Sequence, residues 1–337
     1  KKMNWRNSLF VCFAILFLSA CKYDPLNVDA SETKIDLNFV NMDSLLFQAN
    51  DDQLLELHQR FKEEIPEIYE YQLGYCIGIS DLNDTAFVNS MRSFLADPYI
   101  KRVEERISDQ FKDLSTHRNE IYSGFQHLKF HLPKVKIPES VVFMNSFFAS
   151  NAFSTERQIG VGLERYLGKE TDVILELPGD SFYQWMKDGL DERYLSRDAL
   201  CSWIMTHIVE DVSGNLAEQM IRWGKVIYLT EAAFPEKDKS ILLRYSEEGM
   251  KWALDQERDI WDYLVREKLL FKIDERFKIN MLNEGPFTVG LPEKGPDRLG
   301  QFIGWRMVRK YMEIKRVSVE ELINTPYTAI LAEYEID

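Results

Sequence analysis

A chain of 337 residues, 45% hydrophobic and 28% charged, carries enough apolar material for one large core or two ordinary ones, which excludes disorder over most of its length. Its 55 acidic against 41 basic side chains give a formal charge of -14 and a pI near 5.0. That balance opposes nucleic-acid binding, because phosphate recognition needs a concentrated excess of Lys and Arg. With 16 Gly, 11 Pro and no repeat at solenoid periods, fibrous, low-complexity and repeat architectures are excluded as well.

At the start of the chain Lys1, Lys2 and Arg6 precede an apolar run from Leu9 to Leu18. The run is shorter than the about 20 residues that a transmembrane helix requires, so residues 1–20 read as a bacterial export signal. Leu18-Ser19-Ala20-Cys21 resembles the lipobox of bacterial lipoproteins, in which the cysteine is acylated and the signal removed before it. Residues 21–42 then read as a lipidated Cys21 and a flexible tether, with the stretch from Lys22 to Lys34 polar and weakly patterned. The expected location is the cell envelope, lipid-anchored through palmitate-type chains and facing the periplasm. Lys22 stands where an inner-membrane retention Asp would, and no acidic cluster follows; inner against outer membrane stays open. Of four Cys, the signal removes Cys12 and lipid occupies Cys21. Cys76 and Cys201, both among apolar neighbours, read as buried thiols, with a disulfide between them left open.

Helical periodicity begins at Asp43, where Leu46, Leu54, Leu57, Phe61 and Ile65 form one stripe that Pro66 interrupts. Asp84 to Leu95 reads as a further helix. Pro98 after Asp97 opens another toward Leu114, and helix continues to His131 before Pro133. Between Pro133 and Gly168 the runs Val141-Val142-Phe143 and Ile159 to Leu163 predict a small sheet. Helices return over Arg197 to Asp211, Leu216 to Leu229, Glu247 to Leu270 and Arg298 to Met312, with a short one from Ser318. In the helix from Arg298, Gly300 and Gly304 stand four apart beside Trp305, a spacing that allows close backbone approach to a neighbour. The fold class expected is α+β and predominantly helical: an N-terminal helical lobe over 43–132, then a small inserted sheet and a helical body over 133–337.

Five His are available for chemistry. His127 and His131 lie one turn apart, but Leu128 occupies the place where a metallopeptidase keeps its Glu, and a last helical turn before Pro133 favours His for electrostatic reasons alone. His207-Ile208-Val209-Glu210-Asp211 has the spacing of H-E-x-x-H with both later signature residues changed. A metal site from His207, Asp211 and a downstream carboxylate such as Glu231 is the zinc candidate, yet the catalytic Glu is absent. No G-x-S-x-G elbow or Walker loop occurs, and Gly160-Val161-Gly162 lacks the third glycine of a dinucleotide fingerprint. No catalytic residue and no cofactor are therefore assigned.

Further phrases are spread along the mature chain: Phe130 to Pro138, Ile159 to Leu163 with Tyr166-Leu167-Gly168, Gly224 to Glu231, Trp252 with Glu257 and Trp261, Gly285-Pro286-Phe287, and Pro296 to Tyr311. In their order and spacing they are similar to those of the gliding-motility lipoprotein family GldB. The resemblance implies an envelope lipoprotein needed for gliding and associated with type IX secretion of adhesins, with other proteins of that machinery as partners. It also implies a body similar to gluzincin zinc peptidases, whose H-E-x-x-H motif this chain does not keep. The function expected is a non-enzymatic scaffold or binding component; the alternative is a membrane-tethered zinc metallopeptidase or hydrolase with an atypical site. If Cys21 carries the anchor, Cys21→Ser leaves the fold intact and abolishes stable membrane attachment. Detergent partitioning checks this, and quantitative entry of the variant into the detergent phase after signal removal would exclude the lipoprotein reading.

Overall fold

The computed structural model describes residues 24–79 and 84–335; the export signal and Cys21 lie outside the described residues. Helices dominate around one small sheet. In chain order the elements are β1 (Asn38–Asn41), α1 (Met42–Gln48), α2 (Asp51–Glu64), α3 (Pro66–Tyr71), α4 (Asp84–Leu95), α5 (Pro98–Gln110), α6 (Ser115–His131), β2 (Ser140–Met144), β3 (Ala152–Ser154) and β4 (Gln158–Gly162). Then follow α7 (Asp172–Leu175), α8 (Gln184–Asp188), α9 (Leu195–His207), α10 (Leu216–Ala233), α11 (Lys239–Leu243), α12 (Glu247–Asp255), α13 (Glu257–Arg266), α14 (Glu275–Leu282), α15 (Leu299–Lys315), α16 (Val319–Asn324) and α17 (Tyr327–Leu331).

Local chemistry sets several of these boundaries. Pro66 begins α3 and leaves Ile65 as the break after α2. Asp97 caps α5 by accepting from the backbone N–H groups of Tyr99 and Ile100 at 2.8 and 3.0 Å. Asn50 and Gln53 close a reciprocal capping box on α2. Between Gln72 and Ile77 the chain forms a π-helical turn that ends at Gly78, whose φ of 76° a side chain would disfavour. The region Glu247 to Leu270, expected as one helix, divides at Gln256 into α12 and α13.

The sheet has the order β1-β2-β4-β3, with β1, β2 and β4 parallel and β3 antiparallel at the edge. Side chains alternate across it. Val141, Phe143, Ile159 and Val161 enter the main core with α5, α6, α9, α10 and α15, whereas Val142 and Met144 enter a second core with Leu54, Phe61, Ile68 and Phe87. The helical lobe thus differs from the expected 43–132 division: α1 to α4 cover one face of the sheet, while α5 and α6 belong to the main core on the other. Residues 24–37, expected as part of a free tether, are also docked. Leu26, Ala30 and Leu37 are buried, and the Tyr122 hydroxyl and Gln126 amide on α6 donate to the backbone carbonyls of Ile35, Ser31 and Thr33. Spaced apolar residues in a polar segment were enough to anchor it, and Phe39-Val40 then adds a strand to the sheet edge.

The main core is organised by the crossing of α10 and α15. A Cβ on Gly304 would lie 1.7 Å from the Met220 carbonyl oxygen, and one on Gly224 would lie 2.1 Å from the Gly304 carbonyl oxygen. Two backbones therefore touch where any side chain would separate them. Gly300 is tight as well, its Cβ position 2.8 Å from the Met281 carbonyl oxygen. Trp305, next to the crossing, is buried and donates its indole N–H to Glu231 at 2.8 Å. Gly304→Leu is expected to cost roughly 3 kcal/mol or more, at or beyond the upper end of overpacking, against about 1 kcal/mol for His207→Ala, which loses one hydrogen bond at the surface. Urea unfolding midpoints measure both; an unchanged midpoint for Gly304→Leu would refute the close-packing argument.

Candidate functional site

Helix α9 is buried along nearly its whole length, and Arg197 and Asp198 are charged residues on its buried first half. Charges in such a place must be paired, since desolvating an isolated ion is prohibitive. Arg197 donates from Nε to the Leu242 carbonyl at 2.8 Å and from Nη1 to Asp198 at 3.1 Å. Asp198 also accepts from the Tyr166 hydroxyl at 3.0 Å and from Arg244. Arg244 caps α11 in a left-handed conformation with φ 55°, lies 4.6 Å from the Tyr194 ring centroid, and donates to the Gly189 carbonyl at 2.7 Å.

The network continues to the start of α15. Arg298, at φ 52° before the helix and 8% exposed, donates to the Arg244 carbonyl at 3.2 Å and pairs with Asp297 at 3.0 Å and with Glu284 at 3.5 Å. The Asp297 carboxylate in turn accepts from the Gly285 backbone N–H at 3.0 Å, tying the loop after α14 to the helix. Partial enclosure works to raise the Glu284 carboxyl, but Arg298, Arg244, Arg165 and Arg197 together hold it below its ordinary range. Burial pushes the Asp297 carboxyl up despite Arg298 beside it. Arg165 follows β4 on a 3-10 turn and bonds to the Asn151 side chain and, at 3.2 Å, to the Phe148 carbonyl; burial lowers its pKa.

These residues surround a cleft of two cavities, about 570 and 470 Å³, which share Asn151, Arg165, Arg244, Glu284 and Arg298 as walls. Cys201, Ser202, Met205 and Trp223 complete the wall on the side of α9 and α10. With Arg193, Lys169, Asp188 and Asp191 at the second cavity, five guanidiniums and one ammonium thus face five carboxylates, in a protein whose overall charge is strongly negative. No imidazole lines either cavity. Cys201 and Cys76 are both free thiols, the first buried and the second half-buried, and partial burial pushes the Cys76 thiol up to about 12.

One family model, described as gliding motility protein GldB, matches residues 23–335. The chain belongs to the GldB family. Neither a curated protein nor a solved structure matches it. Membership covers both cores and every wall of the cleft, so the arginine cleft is part of a GldB body and of no appended domain.

The metal candidate read from the sequence needs correction. The helix expected to run through Asp211 ends at His207, so His207 and Asp211 do not share a helical face. His207 stacks on Trp203 at 3.9 Å and hydrogen-bonds the Thr155 carbonyl at 2.7 Å. Asp211 is exposed and pairs with Arg222 at 3.2 Å. Glu231 is buried among Trp305, Lys239 and Arg309. Among the described residues no group of three or more His, Cys, Asp and Glu is placed to hold a metal ion. Of the other singled-out residues, Arg298 lies in the cleft, while Gly300, Gly304 and Trp305 lie in the packing beneath it. Arg165, Arg197, Asp198, Arg244, Glu284 and Asp297 were missed. The signal for two of them was present: Arg197-Asp198 precedes Ala-Leu-Cys-Ser-Trp-Ile, a charged pair on an otherwise apolar helix.

One wall of the cleft rests on buried acids. Glu164 accepts through Oε1 from the backbone N–H groups of Ser146 and Phe148, at 3.1 and 2.8 Å, and from the Ser146 hydroxyl. It thereby holds the loop where Phe147 and Phe148 take positive φ and where Ala149 to Asn151 border the cleft. Nearby Asp43 on α1 and Glu104 on α5 are also buried, and burial raises all three carboxyls, with the Glu164 charge adding to the rise at Asp43 and at Glu104, the latter to about 7. A carboxyl raised in the folded state contributes stability that is complete below its unfolded pKa and is lost as pH rises through the folded one. Glu104 should therefore weaken the fold between about pH 4.5 and 7, by on the order of 3 kcal/mol. Glu104→Gln is expected to remove that loss, so its stability advantage over wild type grows from pH 5 to pH 8. Parallel urea midpoints for the two proteins across this range would show that Glu104 titrates normally.

Proposed function

We propose that this chain is a lipid-anchored component of the cell envelope that serves gliding motility by binding, in association with type IX secretion of adhesins and with other proteins of that machinery as partners. Family membership supports the gliding role. A lipid anchor accords with the lipobox at Cys21, and no helix among the described residues is long and apolar enough to cross a membrane. The observation that supports binding over hydrolysis is the donor set of the cleft. Guanidinium groups offer no lone pair to a cation, and the carboxylates Asp198, Glu284 and Asp297 are each engaged by arginine. A peptidase-like ancestry of the body belongs to the same proposal: where such an enzyme keeps imidazoles and a base on one buried helix, α9 carries Arg197, Asp198 and Cys201. Loss of a positioned general base typically costs about 100-fold to 10,000-fold in rate, so little hydrolytic activity would remain.

The test is complementation of a deletion strain with protein level measured beside the phenotype. His207→Ala and Asp211→Ala are each expected to restore motility or adhesin export, since neither residue belongs to a complete ligand set. Loss of function in both single variants at normal abundance would sink the binding reading and favour a metal enzyme.

A further inference from the structure

We propose that the arginine cleft is a binding site for a carboxylate-bearing ligand. The inference rests on the binding reading above and names what is bound. Its first support is charge: Arg193 and Lys169 join Arg165, Arg197, Arg244 and Arg298 along the two cavities, against Asp188 and Asp191 together with Asp198, Glu284 and Asp297, so six cations face five carboxylates and leave one positive charge in excess. A single carboxylate balances that excess, whereas a doubly charged phosphate would overcompensate it. Its second support is unmet hydrogen-bonding capacity. Among the described residues Arg165 hydrogen-bonds only an amide side chain and a carbonyl, with no carboxylate at ion-pair distance, and the buried Nε of Arg298 has no hydrogen-bond partner. A native fold does not leave buried donors so without reason, because an unmet donor costs about 1 to 3 kcal/mol.

The third support is preorganisation. Arg244 and Arg298 are held by carbonyls, aromatic faces and carboxylates before any ligand arrives, so little side-chain entropy would be lost on binding. The planar fork of Arg165 is suited to two parallel hydrogen bonds with a carboxylate. Met205 and Trp223 border the same cavity and offer apolar surface to whatever carries the charge. Two sources share this chemistry: the free C-terminus of a polypeptide and the acid group of a uronic sugar.

The experiment uses the full chain, purified in detergent, and calorimetric titration with four probes. These are an N-acetylated tetra-alanine peptide with a free C-terminus, its C-terminal amide, glucuronate, and inorganic phosphate. The free-acid peptide or glucuronate is expected to bind, with the stronger of them naming the source, and the amide to bind roughly tenfold weaker or worse. Arg165→Gln should weaken the carboxylate roughly tenfold, with Arg165→Lys intermediate, while an unchanged urea midpoint shows that the fold is intact. Arg298→Lys gives a second, independent loss. No binding of either carboxylate up to about 10 mM would overturn the proposal, as would phosphate binding tenfold tighter than both or equal binding of acid and amide. Appearance of cleaved peptide would instead refute the non-hydrolytic reading and leave the carboxylate site standing.

Discussion

The contact between Gly224 on α10 and Gly304 on α15 is the constraint on which the rest of the body depends. With neither residue carrying a side chain, two long helices of the main core meet backbone to backbone, and each fixes what lies along the other. Upstream on α15 the chain leaves the helix at Arg298, so the crossing sets where that guanidinium enters the cleft. On α10 the residue before the contact is Trp223, which forms part of the opposite wall. Seven residues further along, Glu231 receives the Trp305 indole N–H, and its buried charge is met by Lys239 and Arg309. A lateral shift of a few tenths of an ångström at the glycines would have to be absorbed by every one of these pairs.

Two buried electrostatic assemblies share one loop. On the cleft side arginines engage Asp198, Glu284 and Asp297 and hold the Glu284 carboxyl below its ordinary range; on the other side burial keeps Glu164, Asp43 and Glu104 toward the protonated form. Buried ion pairs are weak contributors to stability because desolvation offsets their attraction. Their persistence here is better explained by position: Arg244 and Arg298 reach carbonyls at Gly189 and at Arg244 itself, so the network fixes the left-handed turns at both residues. Replacing such a network by apolar side chains could keep the fold stable and would still erase the cleft's shape and charge.

Much of the helical pattern was legible in the sequence because its punctuation is local. Pro66, Asp97-Pro98 and Ser318 act through the backbone within one turn, and the glycine pair in α15 is visible as spacing. The short strands β1 and β3 were not legible, since four residues such as Asn38-Phe39-Val40-Asn41 become a strand only by pairing with β2 about a hundred positions away. The cleft was hidden for the same reason. Arg165, Arg244 and Glu284 come from three separate loops or turns, and nothing local marks any of them as the partner of Asp198 or Arg298. His207 misled because its spacing to Asp211 has meaning only while the helix continues, and the chain leaves the helix at Ile208.

The docking of residues 24–37 changes how an anchored body would sit. If Cys21 carries the lipid, Asp24 is three residues away, a reach of about 10 Å of extended chain. That distance is close to a Debye length at physiological salt, so the acidic surface would feel an anionic bilayer directly instead of standing off on a long tether. The first described residues lie against the end of α10, where Asn27 reaches Glu236 at 3.5 Å and where Lys237 pairs with Glu120. The cleft borders the same helix nearer its start, at Trp223, and the eleven positions from Trp223 to Phe234, about three turns, span roughly 16 Å at the helical rise. An anchor held at one end of α10 therefore leaves the arginine cleft displaced by that distance along the helix from the attachment point.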